Sequence, residues 1–416
     1  MATIKPFRAI RPVAEKAQKV AALPYDVMSS EEAREMAKQN PYSFLHIDKA
    51  EIDLPPSIDI YDEQVYQKAK QNMQTMIQNG IFIQDDSPLL YIYRLSKNQK
   101  SQTGIVACTA IEEYLNHTIK KHELTRADKE LDRIRHVDTL NANTGPIFLA
   151  YRKNHAVKKI LHCIIEQTQP VYDFVSEDGV CHTVWLIQQQ KYITELIALF
   201  QEIPSLYIAD GHHRNASAVQ VGLKRREQYP NYTGKEEFNY YLSVLFSDDE
   251  LSIMDYNRVV KDLNGMTEEC FFKKLNEKFL VEKYEKSGCA RPQRQHQFGM
   301  YLSKKWYLLT AKQEIVKKDV VEALDVSILQ NEILEPLLNI KDPRTDKRID
   351  FIGGIRGLEA LEKLVDSQQM QIAFSMYPTS MKELMAVADQ NKIMPPKSTW
   401  FEPKPRSGLF IHDLEK

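Results

Sequence analysis

Halfway along the chain, residues 205–209 form a short apolar run and Asn215-Ala216-Ser217-Ala218-Val219 open a helical pattern. Between them stand Asp210-Gly211-His212-His213-Arg214. A strand, a glycine turn and a helix in immediate succession constrain the fold more than any other stretch. Glycine permits a tight turn that a side chain would obstruct. The helix N-terminus after it offers unpaired N–H groups to an anion, and Arg214 adds a planar fork suited to phosphate. The plainer reading makes Asp210 a helix cap beside two exposed histidines. Crowding two imidazoles and a guanidinium without a partner is costly, so a ligand site is expected.

Around that motif, strands alternate with helices, which indicates a mixed α/β layer structure. At 416 residues the chain is long for one core. Two parts are expected: an N-terminal α/β domain over 1–235, ending with the motif helix, and a C-terminal α/β domain over 236–416. In Ser29-Ser30-Glu31-Glu32 a serine before the acids predicts a capped helix to about Asn40. Residues 60–79 predict a helix stopped by Gly80. Residues 89–94 and 104–110 predict paired strands joined by a polar loop over 96–103. Residues 147–151 predict a strand, and 171–175 with 180–187 a hairpin turning at Asp178-Gly179.

A charged helix running to about Leu140 is predicted to bury Leu124, Ala127, Leu131 and Ile134. Thr125, Asp128, Asp132 and His136 would share a neighbouring face. Further on, 238–247 predict a central strand and 325–338 an amphipathic helix stopped near Pro336. The proline-rich tail carries Trp400 and Phe401. Disordered tails rarely carry such residues, so it is expected to pack back on the body.

Charge removes whole classes of function. The 57 acids against 55 Lys and Arg leave a net charge of -2, which gives no global field for nucleic acid or an anionic membrane. No apolar run approaches the roughly 20 residues of a membrane span, and the N-terminus lacks the apolar core of a secretory signal. Cys108, Cys163, Cys181, Cys270 and Cys289 stand at no metal-ligand or redox-pair spacing. They fit as small core residues in a reduced, cytoplasmic protein.

A second cluster is His122-Glu123-Leu124-Thr125-Arg126, with Arg133 and His136 further on. A histidine beside a glutamate can move a proton while arginines hold a phosphorylated substrate. A salt-bridged surface helix is the competing reading. Lys397-Ser398-Thr399 in the tail offer a point charge and hydroxyls that could close over a phosphate. For the motif itself, the rival to an anion is zinc held by His212, His213 and Asp210. Adjacent histidines point in different directions and need a third ligand nearby, so no metal is assigned.

Taken in order, His122-Glu123-Leu124-Thr125, Gly145-Pro146-Ile147-Phe148, Ala209-Asp210-Gly211-His212-His213-Arg214 and Met394-Pro395-Pro396-Lys397-Ser398-Thr399 resemble the bacterial domain of unknown function 1015 family over nearly the whole chain. Gly211-x-x-Arg214 is similar to the nucleotide-binding turn shared by ParB, sulfiredoxin and the free-serine kinases. The resemblance implies a ParB/sulfiredoxin-like strand-turn-helix site within a larger two-part mixed-sheet protein, with Gly211, His213 and Arg214 on nucleotide phosphates. It also implies a link to serine metabolism. Where sulfiredoxins carry a catalytic cysteine this chain has His212, which argues against their reductase chemistry. ParB-like DNA binding would need a helix-turn-helix domain after the motif, whereas the region beyond Ala218 reads as helix followed by strands.

These readings predict a small-molecule phosphotransfer or phosphoester enzyme, kinase- or phosphatase-like, acting on serine or phosphoserine. The catalytic residues would be His122, Glu123, Asp210 and His212. Gly211, His213, Arg214, Lys397, Ser398 and Thr399 would hold phosphate or nucleotide, and Arg126, Arg133 and His136 the substrate anion. The donor would be ATP, ADP or pyrophosphate with Mg²⁺. The expected partner is a small phosphorylated metabolite, not a membrane or nucleic acid, with a homodimer as the assembly to test. The alternatives are a ParB-like nucleotide-binding regulator without metabolic catalysis and a metal-dependent hydrolase. All of this turns on whether the His122 and Arg214 motifs share one site.

Overall fold

The computed structural model describes residues 1–286 and 288–415. Its contacts divide into two compact units, one of 1–251 with 403–416 and one of 252–402. The break expected after 235 falls elsewhere because the strand Tyr240–Ser247 lies inside the first unit's main sheet. It pairs with Lys100–Ala110 on one side and Ile147–Tyr151 on the other. A cut at 235 would strip both ladders of hydrogen bonds that buried backbone requires.

That sheet has eight strands in the order Ile119–Lys120, Leu206–Asp210, Ile147–Tyr151, Tyr240–Ser247, Lys100–Ala110, Leu90–Lys97, Cys181–Ile187, Tyr172–Val175. The motif strand Leu206–Asp210 runs parallel to Ile119–Lys120 and antiparallel to Ile147–Tyr151. Its register slips between Ile208 and Asp210, an irregularity that re-aims side chains. The loop expected over 96–103 contracts to Asn98 and Gln99, both at positive φ, because the ladder continues through Ser96–Ser101 and Lys97–Lys100. Positive φ at both central residues matches the twist of a two-residue hairpin turn. The core on one face gathers Ile92, Ile105, Leu149, Ile208 and Leu245. It packs against Val157, Ile164, Leu196 and Phe200 of the helices His155–Gln167 and Gln190–Gln201.

The helix Ala127–Leu140 reverses the expected burial. Leu124 and Leu131 are 54% and 58% exposed, and the buried residues are Asp132, Arg133, His136, Val137 and Leu140. The polar face turns inward because its groups find partners there. The Tyr66 hydroxyl and Arg133 Nε donate to Asp132 at 2.9 and 2.8 Å, and His136 Nε2 donates to the Ile47 carbonyl at 3.0 Å. Buried charge that is paired and hydrogen-bonded is tolerated.

From Pro403 the chain returns to the first unit. His412–Asp413 pair with Ala142–Asn143, and Gly408 sits at φ +84 against Phe44. A Cβ there would come within 2.5 Å of the ring. Gly408→Ala is therefore expected to cost about 2–4 kcal/mol, the sum of a left-handed backbone penalty and overpacking. A urea midpoint lowered with unchanged m-value would report it.

The second unit carries a six-stranded antiparallel sheet in the order Phe279–Lys283, Lys305–Ala311, Gln297–Leu302, Ile372–Met376, Tyr256–Val260, Ile349–Gly353. The helix expected over 325–338 is instead Asp325–Leu329 followed by a π-helical turn, Gln330–Leu334. Pro336 has no N–H to continue the ladder, and the wider turn accommodates the loss. Among the described residues no helix is long and apolar enough to cross a membrane.

Candidate functional site

Gly211 takes φ +88 between the motif strand and the helix His212–Gln228. Only glycine adopts that backbone cheaply, and at this N-cap position the helix has no side-chain cap. Arg214, one turn in, folds back over the glycine, so that a Cβ at 211 would lie 3.1 Å from its guanidinium. Nη1 donates to the Pro146 carbonyl at 2.6 Å and Nη2 to Asp210 at 2.8 Å. Arg214 Nε is buried with no acceptor among the described residues. The other oxygen of Asp210 accepts from Lys404 at 3.0 Å. Burial opposes a charge on Asp210, yet Lys404 and Arg214 hold its carboxyl down to about 2.

The two sequence motifs meet here. The His122 and His212 rings pack edge to face with centroids 4.6 Å apart, and Glu123 Oε2 lies 3.9 Å from His212 Nδ1. Burial is the main force pressing His212 down to about 4, with Asp210 opposing it. Burial, then His212, presses His122 well below the usual imidazole range. Both rings are therefore neutral at pH 7, suited to accept a proton or a metal. His213 Nε2 accepts the backbone N–H of Arg126 at 3.0 Å, which fastens the His122 segment to the motif helix.

Beside Arg214 lies a polar cavity lined by Tyr25, Asp48, Arg133, His136, Thr144 and Ser217, among others. The volume open to the centre of a water molecule is about 20 Å³, room for one or two waters. Arg133 stacks 4.0 Å over the Tyr25 ring, and Thr144 Oγ1 donates to Asp48 at 2.9 Å. Both signs of charge thus face one small space.

Not every expected residue arrives. The Arg126 guanidinium turns outward to Asp128 at 2.8 Å, the pair 71% and 46% exposed. A first-turn acid is favoured by the helix dipole and captures it. Of the three residues expected to hold a substrate anion, Arg133 and His136 line the cavity and Arg126 does not. Lys397, Ser398 and Thr399 belong to the second unit. There Lys397 lies 5.6 Å over the Tyr256 ring and the Ser398 hydroxyl donates to the Pro395 carbonyl at 2.6 Å. The tail residue at the turn is Lys404, which sequence reasoning passed over along with Asp48. A lysine between two prolines was the one local signal for it.

Fold and site define a mixed α/β protein whose sheet delivers a strand–glycine–helix turn to a buried cluster of histidines, arginines and acids. Residues 4–327 match the family described as "Protein of unknown function (DUF1015)". The chain belongs to that family. No curated protein matches. Among solved structures, a free serine kinase in complex with AMP is similar at 14% identity and TM-score 0.36, covering 75% of this chain and 91% of that one. SbnI with C-terminal truncation from Staphylococcus aureus is similar at 12% and 0.37, covering 73% and 85%. A conserved hypothetical protein from Pyrococcus furiosus is similar at 13% and 0.35, covering 74% and 94%.

Proposed function

We propose that the chain catalyses phosphoryl transfer between a nucleotide or pyrophosphate donor and a small hydroxylated metabolite, with serine the first candidate. One observation carries the reading. Arg214 lies over a left-handed glycine at an uncapped helix N-terminus, with its Nε–H buried and lacking an acceptor among the described residues. Such a turn supplies N–H groups and a fixed cation to a phosphate, and phosphoryl transfer asks chiefly for positioned positive charge. Mg²⁺ would arrive with the donor phosphates.

The cavity, which as it stands holds one or two waters and would have to widen to take an amino acid, is assigned to the acceptor because of the groups that line it. Arg133 and Asp48 face it together, a pairing that suits a zwitterion bearing both carboxylate and ammonium. His122, Glu123 and His212, which meet beside the turn and do not line that cavity, are the groups able to take a hydroxyl proton as long as no metal occupies them.

The test is incubation with serine and ATP, ADP or pyrophosphate, with transfer followed by phosphorus NMR. No phosphorylated product with any donor, together with no donor binding, overturns the reading. Donor binding without turnover would favour a regulatory nucleotide switch. Asp48→Asn keeps the Thr144 hydrogen bond but removes the charge. It is expected to raise KM for an amino-acid acceptor about tenfold and leave the donor KM unchanged, as loss of one charge-assisted contact. An unchanged acceptor KM would place the ammonium elsewhere.

A further inference from the structure

We propose that His122, Glu123 and His212 form a binding site for a divalent first-row transition metal, zinc or manganese. Each offers one ligand atom within 4.8 Å of the others. Glu123 Oε2 and His212 Nδ1 stand 3.9 Å apart, beyond a hydrogen bond and near the roughly 3.4 Å that separates two ligand atoms around a tetrahedral ion with bonds of about 2.1 Å. Closing the set takes side-chain shifts of about an ångström, so the backbone is already in place.

A second observation points the same way. His212 is 7% exposed, and its Nε2 is buried with no partner among the described residues. Burying an imidazole nitrogen without a partner costs free energy; Nδ1 is the nitrogen that faces Glu123, and an ion offsets the cost when the ring turns Nε2 onto it. The His122 ring is hydrogen-bonded to the backbone of Ile208, the kind of outer contact that orients a ligating imidazole.

Two imidazoles and one carboxylate favour zinc, manganese or iron over magnesium or calcium, which prefer all-oxygen sites. Three protein ligands leave coordination positions open, and His212 is the residue next to Gly211. The site rests on this geometry alone. Its role, placing a metal beside the phosphate turn, rests on the phosphotransfer reading.

The full-length protein, stripped with chelator, would be titrated with Zn²⁺, Mn²⁺ and Mg²⁺ by calorimetry and with Co²⁺ by visible absorption. Expected are one equivalent of Zn²⁺ or Mn²⁺, Mg²⁺ bound at least a hundredfold more weakly, and cobalt bands of mixed nitrogen and oxygen ligation. His212→Ala is expected to weaken binding about a hundredfold or more. Glu123→Gln, at a partly exposed residue, is expected to weaken it about tenfold. No stoichiometric metal, or undiminished affinity in both variants with unchanged circular dichroism, overturns the site. Binding of a fluorescent ADP analogue is measured separately on the metal-free protein. Its failure would count against the phosphotransfer reading and leave the metal site standing.

Discussion

Arg214→Ala is expected to lower turnover about 10²–10³-fold, the usual effect of deleting one fixed donor to a developing charge. The variant should still fold. Lys404 continues to pair with Asp210 at 3.0 Å, so no buried charge is orphaned, and the stability loss should stay near 1–2 kcal/mol for the broken hydrogen bonds. Arg214→Lys is expected to restore little. The guanidinium reaches the Pro146 carbonyl and Asp210 at once while lying flat over Gly211, and a lysine ammonium lacks the planar fork that does this. Steady-state kinetics with donor and acceptor, alongside a thermal melt, decide the matter. Turnover within a factor of about three of the parent would mean that the turn does not hold the reacting phosphate.

The motif that defines this turn was legible because its signals are local. An apolar run, a glycine and a helical pattern within a few residues specify strand, left-handed turn and helix. The same holds for the Asp178-Gly179 hairpin and for the serine cap of the helix Ser30–Ala37. What failed depended on partners distant in sequence. Hydrophobic pattern assigned Leu131 to the core and Asp132 to a lesser face. The pattern had no knowledge of Tyr66 or Ile47, whose side chain and backbone satisfy that polar face. Lys404 is 194 residues from Asp210, and no periodicity links them. Violations of local rules concentrate where a fold holds functional groups, and the inverted helix that supplies Arg133 and His136 to the cavity is one of them.

Below about pH 6.5 the protein is expected to lose stability through His182, and His182→Gln to lose less. The ring is fully buried, stacked 5.2 Å from Phe174. Nε2 accepts from Arg406 Nε at 3.3 Å, and Nδ1 stands 2.7 Å from the Tyr93 hydroxyl oxygen. An arginine can only donate, so Nε2 carries the lone pair and Nδ1–H donates to Tyr93. Protonating Nε2 would aim an N–H at the guanidinium. Burial first and Arg406 second depress His182 to about 3, with Asp178 opposing; an unfolded histidine titrates near 6.5. Between those values the unfolded chain binds a proton that the folded one excludes. Stability is therefore complete above about pH 6.5 and falls as pH drops, by up to about 1.4 kcal/mol per unit for this group. His122, His136 and His212 are depressed too and act with the same sign, so the total slope does not isolate His182. The difference between parent and His182→Gln does. Glutamine can accept from Arg406 and donate to Tyr93 without titrating, which removes about one proton from the slope. Urea unfolding at several pH values between about 4.5 and 7.5 reads it, and superimposable slopes would refute the assignment. Arg406, also paired with Asp178 at 2.6 Å, anchors the tail two residues from Lys404. Acid that loosens this anchor should therefore also weaken the Lys404–Asp210 contact at the turn.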